Sequence, residues 1–65
     1  MNAGRYLVTV TVDGQPMLRG WWQSETTARR KHARWIGEHG DRPGAWITLT
    51  DEETGTVLTE WPEKP

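Results

Sequence analysis

The chain has 65 residues, a net charge of −1 and no cysteine. This length allows a single small domain, residues 1–65, and the absence of cysteine excludes disulfides and thiolate metal sites. The near-neutral charge argues against general binding of polyanions. A core of this size supplies only about 3–5 kcal/mol of stability, so the five tryptophans become its main source of bulky apolar surface.

The first predicted element is a strand over residues 5–12, RYLVTVTV. Its side chains alternate between two faces at period two, and many of them are β-branched. The next two residues, Asp13 and Gly14, are typical of a tight hairpin turn in which both central residues have positive φ. The sequence therefore predicts a β-hairpin at the start of the chain.

The second strand, residues 16–22, is expected at an edge of the sheet because Pro16 has no amide hydrogen to donate. A two-residue turn followed by regular pairing places Met17 opposite Val10 and Trp21 opposite Tyr6. Two further side chains of this strand, Leu18 and Trp22, then share the opposite face with Leu7.

Residues 24–40 have the pattern of one amphipathic helix. Ser24 is a suitable N-cap, and Gly37 or Gly40 can end the helix before Pro43. At 100° per residue the apolar side consists of Ala28, His32, Trp35, Ile36 and His39. The opposite side consists of Thr27, Arg30, Lys31, Arg34 and Glu38.

A second hairpin is predicted over residues 45–61, with residues 51–55 as its loop and Leu49 opposite Val57. One face then carries Ala45, Ile47, Leu49, Val57, Thr59 and Trp61. The other face carries Trp46, Thr48, Thr50, Thr56, Leu58 and Glu60. Residues 62–65 are expected to be a short polar tail.

These elements predict an α+β fold in the order ββαββ, with a four-stranded antiparallel sheet and one helix packed on one face. The strand order 2-1-3-4 is preferred because it keeps every pair antiparallel and leaves Pro16 on an edge. The predicted core is Tyr6, Val8, Val10, Met17, Trp21, Ala28, Trp35, Ile36, Ile47, Leu49 and Val57.

One helix covers only one face of such a sheet, and the predicted uncovered face carries Leu7, Leu18, Trp22, Trp46 and Leu58. Contiguous apolar surface of this kind marks an interaction site. We therefore expect a small non-catalytic interaction module that self-associates or docks a partner protein. Stacking of single-stranded bases on Trp22 and Trp46 is the weaker interpretation, because no Arg or Lys is predicted beside them.

Nucleic-acid binding through the outer side of the helix is the alternative hypothesis. Arg30, Lys31 and Arg34 project together, as phosphate contacts require. A charged outer side is, however, typical of any amphipathic helix, and Glu38 lies in the same stripe. Arginine outnumbers lysine six to two, which a GC-rich bacterial genome also produces.

Catalytic and metal-binding patterns are not found in the sequence. Ser24 is the single serine and is expected to cap the helix, while His32 and His39 lack further ligands or a nucleophile nearby. We expect no cofactor, no metal and no small-molecule substrate. No apolar run approaches the ~18 residues of a membrane span, and no signal peptide precedes the first strand, so a cytoplasmic protein without membrane contact is expected.

Overall fold

The structure, a computed structural model, describes residues 4–62. The elements are β1 (Tyr6–Val12), β2 (Gln15–Trp22), α1 (Glu25–His39), β3 (Ala45–Asp51) and β4 (Thr56–Trp61). All neighbouring strands are antiparallel, in the order β2-β1-β3-β4, and α1 packs on one face of the sheet. The predicted α+β class, ββαββ arrangement and strand order are confirmed. The predicted tail lies outside the described residues, except for Pro62.

The first hairpin closes through the predicted turn. Asp13 and Gly14 both have positive φ, at 52° and 83°, as a type I′ turn requires. The residues flanking the turn, Val12 and Gln15, are paired as expected. The turn therefore aligns β1 and β2 at this end of the sheet.

The register of β2 changes after the turn, because a bulge leaves Met17 without a residue directly opposite. Val10 consequently pairs with Leu18, and every later residue of β2 lies on the face opposite to the predicted one. The expectation that Leu18 and Trp22 lie on the uncovered face is therefore wrong. Trp21 takes that position instead.

A second bulge has the same effect in β4. Leu49 pairs with Thr59 and Thr50 pairs with Val57, so Leu58 is the extra residue between the two pairs. Val57 shares a face with Thr50 and is 51% exposed, whereas Leu58 packs against the buried core. The predicted faces of Thr56, Val57 and Leu58 are therefore wrong, while that of Thr59 is confirmed.

The core lies between the sheet and α1. The rings of Trp22 and Trp35 meet edge to face beside the core, with centroids 5.8 Å apart. The fully buried apolar residues are Val8, Val10, Ala28, Ile47 and Leu49. The residues packed around them are Tyr6, Val12, Trp22, Trp35, Ile36, Leu58 and Trp61. Three residues predicted for the core, Met17, Trp21 and Val57, are displaced by the two bulges.

The helix begins and faces the sheet as predicted. The hydroxyl of Ser24 accepts a hydrogen bond from the amide of Thr27 at 3.3 Å, which satisfies one unpaired donor of the first turn. Ala28 and His32 are buried, and Gly40 caps the other end. The buried stripe of α1 is narrow, so the helix covers the centre of one face and leaves the other face to solvent.

Candidate interaction surface on the uncovered sheet face

We call the face of the sheet opposite α1 the open face. Residues directly opposite each other in antiparallel strands share a face, so the register defines its members. They are Leu7, Thr9, Thr11, Pro16, Arg19, Trp21, Trp46, Thr48, Thr50, Val57 and Glu60.

These side chains form rows across the strands. The first row is mostly apolar and runs from β2 to β4 as Trp21, Leu7, Thr50 and Val57. The central row is polar. From β2 to β4 it consists of Arg19, Thr9, Thr48 and Glu60. Pro16, Thr11 and Trp46 form a third, shorter row. The open face is thus apolar towards both ends and charged at the two edges of its centre.

The apolar members of the open face are only partly covered. Val57 is 51% exposed and Trp46 is 41% exposed, while Leu7 and Trp21 are half-buried. Monomeric proteins rarely leave contiguous apolar patches larger than a few hundred Å² in contact with water. In residues 4–62 the single helix lies on the other face, so no described element shields this one.

Two of the five residues predicted for this surface are placed on it, Leu7 and Trp46. The other three, Leu18, Trp22 and Leu58, lie on the face that carries α1. Trp21 and Val57 also lie on the open face, where the sequence did not predict them. The adjacent pair of tryptophans in β2 does carry a signal, because one of two consecutive strand residues must lie on each face.

The indole of Trp21 is held in place at one end of the open face. Its Nε1 donates a hydrogen bond at 2.7 Å to Oε1 of Glu52, which belongs to the loop between β3 and β4. The amide of Glu52 in turn donates to the carbonyl of Arg5 at 3.0 Å. A fixed aromatic ring loses little conformational entropy on binding, which favours a role in contact with another surface.

The charges of the open face are one cation and one anion on opposite edge strands. Arg19 lies on β2 and is exposed, and Glu60 lies on β4 and is half-buried. Within residues 4–62, neither side chain takes part in an ion pair. Both are therefore available to a charge on another molecule.

The basic side of α1 is partly neutralised by its own carboxylates. Arg34 lies 3.3 Å from Glu38, and Arg29 lies 2.8 Å from Glu25. Arg30 and Lys31 remain as cations outside these pairs, on an element on the other side of the sheet from the open face. A phosphate backbone and the exposed tryptophan could not be contacted together, so this surface offers less support for nucleic-acid binding.

An open cleft of about 410 Å³ lies between α1 and β4, lined by His32, Ile36, Thr59 and Trp61 and, at the β4 edge of the sheet, by Glu60. His32 is its buried polar side chain, and its Nε2 lies 3.0 Å from the carbonyl of Ile47. Because a carbonyl oxygen only accepts, Nε2 carries a proton and donates it. The imidazole thus fastens α1 to β3, which is a structural use of this group.

The end of the sheet near the β3–β4 loop is held by a buried carboxylate. Asp51 is 6% exposed and receives two hydrogen bonds from Arg5, 2.8 Å from Nε and 2.7 Å from Nη2. Its Oδ1 also accepts from the amide of Glu53 at 3.0 Å. These donors hold the pKa of Asp51 below its usual value, with the Arg5 hydrogen bonds the largest cause and the Glu53 amide a further one.

We expect Asp51 to make the protein sensitive to acid. A carboxyl whose folded-state pKa is lowered stabilises the fold above its unfolded pKa of about 3.9, and this stability is lost as the pH falls through the lower folded value. Asp51→Asn should be less stable than the parent at neutral pH, and the difference should shrink in acid. Urea unfolding across this range measures the effect.

The matched control for that experiment is Asp41→Asn, because Asp41 is exposed and lies outside the Arg5 cluster. This variant should follow the parent at every pH. Parallel acid dependence of Asp51→Asn and the parent would show that the buried carboxylate does not set the acid sensitivity.

Comparisons with models of protein families, with curated proteins and with solved structures find no match to this chain. In the described part of the chain, no helix is both long and apolar enough to cross a membrane. Residues 4–62 also bring no three His, Asp or Glu side chains into a group that could hold a metal ion.

Proposed function

We propose that this protein is a small non-catalytic interaction module that self-associates through its open face. The observation that carries the proposal is the exposure of Trp46 and Val57 on a sheet face that α1 does not cover. Packing two such faces together removes apolar side chains from water, as in a β-sandwich.

The charges favour a second copy of this chain as the occupant of the open face. Arg19 and Glu60 give that face no net charge, and each is opposite in charge to the other residue on a second copy. A strongly acidic or basic partner would face a like charge at one of the two edges. The complementarity of the open face is thus to a surface of its own kind.

The size of the open face predicts a weak complex. Strands about 4.8 Å apart and seven residues long, at ~3.3 Å per residue, give a footprint on the order of 400 Å². Each partner in a standard-size interface buries ~800 Å². We therefore expect dissociation constants in the micromolar range.

Val57→Lys should weaken self-association by about tenfold or more, because it places a charge within the apolar part of the interface. The side chain is exposed in the single chain, so the fold should persist, as circular dichroism can verify. Sedimentation equilibrium at micromolar concentrations measures the change in association.

Ala33→Lys is the control, since Ala33 is exposed on α1 and away from the open face. It introduces the same side chain and should leave association unchanged. A parent chain that stays monomeric, or an association that Ala33→Lys disrupts and Val57→Lys does not, would overturn the proposed function.

A further inference from the structure

Resting on the proposed function, the geometry points to one particular dimer: two open faces related by a two-fold axis parallel to the strands, with Arg19 of each copy opposite Glu60 of the other. The Arg19–Glu60 pairs determine how the second copy is oriented. This orientation follows from the register of the sheet and the strand order.

The first step is the position of the two charges. Arg19 and Glu60 belong to one row across the strands, through Thr9 and Thr48. They occupy the two edge strands, so three strand spacings, ~14 Å in all, separate them. The open face therefore has a positive edge and a negative edge at the same height along the strands.

A two-fold axis can bring these faces together in two ways. An axis parallel to the strands lays β2 of one copy over β4 of the other, which gives two Arg19–Glu60 pairs. An axis across the strands through the central row lays β2 over β2 and gives contacts between like charges. Because like charges in contact are strongly unfavourable, the parallel axis is selected.

The apolar residues agree with the same choice. Reversing the strand order about the parallel axis lays Trp21 over Val57 of the second copy, since both belong to the first row. Trp46 then lies over Thr11 of the second copy, in the third row. The bulkiest side chains thus meet aliphatic or methyl-bearing ones, which is compatible with the parallel axis.

The distances are compatible with this arrangement. Packed sheets lie about 10 Å apart with their strands within about 30° of each other, and the central row is the part least displaced by that angle. Arg and Glu side chains at facing edges together span this gap. Both open faces are used in the complex, so association through them closes at a dimer.

Charge reversal tests the proposal. Arg19→Glu and Glu60→Arg, each alone, should weaken the homodimer by about tenfold or more, because each creates two like-charge contacts. Mixing the two variants should restore association close to the parent level, since every facing pair then has opposite charges. A chain carrying both changes should also form a homodimer. Sedimentation and circular dichroism provide the readouts.

The control is Arg30→Glu, which makes the same change in charge on the outer side of α1 and should leave the dimer intact. Single variants that associate like the parent, or a mixture and a double variant that both stay dissociated, would overturn this dimer. The proposed function would still stand if Val57→Lys disrupts association in the same assay. If the reversed variants do not fold, Arg19→Gln and Glu60→Gln replace them, and no weakening by either would contradict the proposal.

Discussion

Leu49→Ala is expected to leave most of the chain unfolded at room temperature. Leu49 is fully buried in β3, beneath α1, and its removal costs both its transfer free energy and the cavity left behind. Such substitutions destabilise by about 2–5 kcal/mol, and the whole core of a domain this size supplies about 3–5 kcal/mol. Urea unfolding, followed by tryptophan fluorescence, measures the loss.

Val57→Ala is the matched control for Leu49→Ala, because it shortens an aliphatic side chain on the same sheet but on the open face. At low protein concentration its free energy of unfolding should differ from the parent by less than about 0.5 kcal/mol. Equal losses in the two variants would contradict the assignment of the core to the face that carries α1.

Gly20→Ala is expected to destabilise the fold by about 1–3 kcal/mol, the usual cost of overpacking. Gly20 lies on the face of β2 that carries α1, and the indole of Trp22 folds back over it. A Cβ at this position would overlap the indole ring of Trp22. The ring would have to leave its edge-to-face contact with Trp35, which near-ultraviolet circular dichroism can detect.

Gly37→Ala supplies a control with the opposite sign. Gly37 is within α1, and a Cβ there would meet no atom within 4 Å apart from its chain neighbours and the backbone of its own helix. Alanine in a helix interior is favoured over glycine by about 0.8–1 kcal/mol, so this variant should be more stable than the parent. If Gly20→Ala were as stable as the parent, the position of Trp22 over Gly20 would be wrong.

The elements and their order could be predicted because they depend on local patterns. The alternation in β1, the Asp13-Gly14 turn and the Ser24 cap each act within a few residues, and all three are present in the structure. Pro16 also favoured an edge position for β2, which is where the strand lies. These signals determine the ββαββ arrangement without reference to tertiary packing.

The faces of β2 and β4 could not be predicted, because each strand contains a bulge. A bulge inserts one residue and moves every side chain beyond it to the other face of the sheet. The period-two sequence pattern does not indicate where a bulge occurs. In β2 the bulge lets the indole of Trp22 lie against Gly20, a packing contact that local propensity does not encode. In β4 it turns Leu58 towards the core and leaves Val57 exposed.

The existence of an uncovered sheet face was predicted, but only some of the residues on it were. An uncovered sheet face follows from the count of one helix and four strands, so its existence does not depend on register. Leu7 and Trp46 lie on strands without a bulge, and their placement was correct. The edge charges Arg19 and Glu60 become a pair only when the rows of the folded sheet are known.

Sedimentation equilibrium of the unmodified protein across the micromolar range tests the central claim most directly. If the open face binds a second copy, the apparent mass rises from one chain to two with increasing concentration and then stays constant. A mass that remains that of a single chain at high micromolar concentration would contradict the claim.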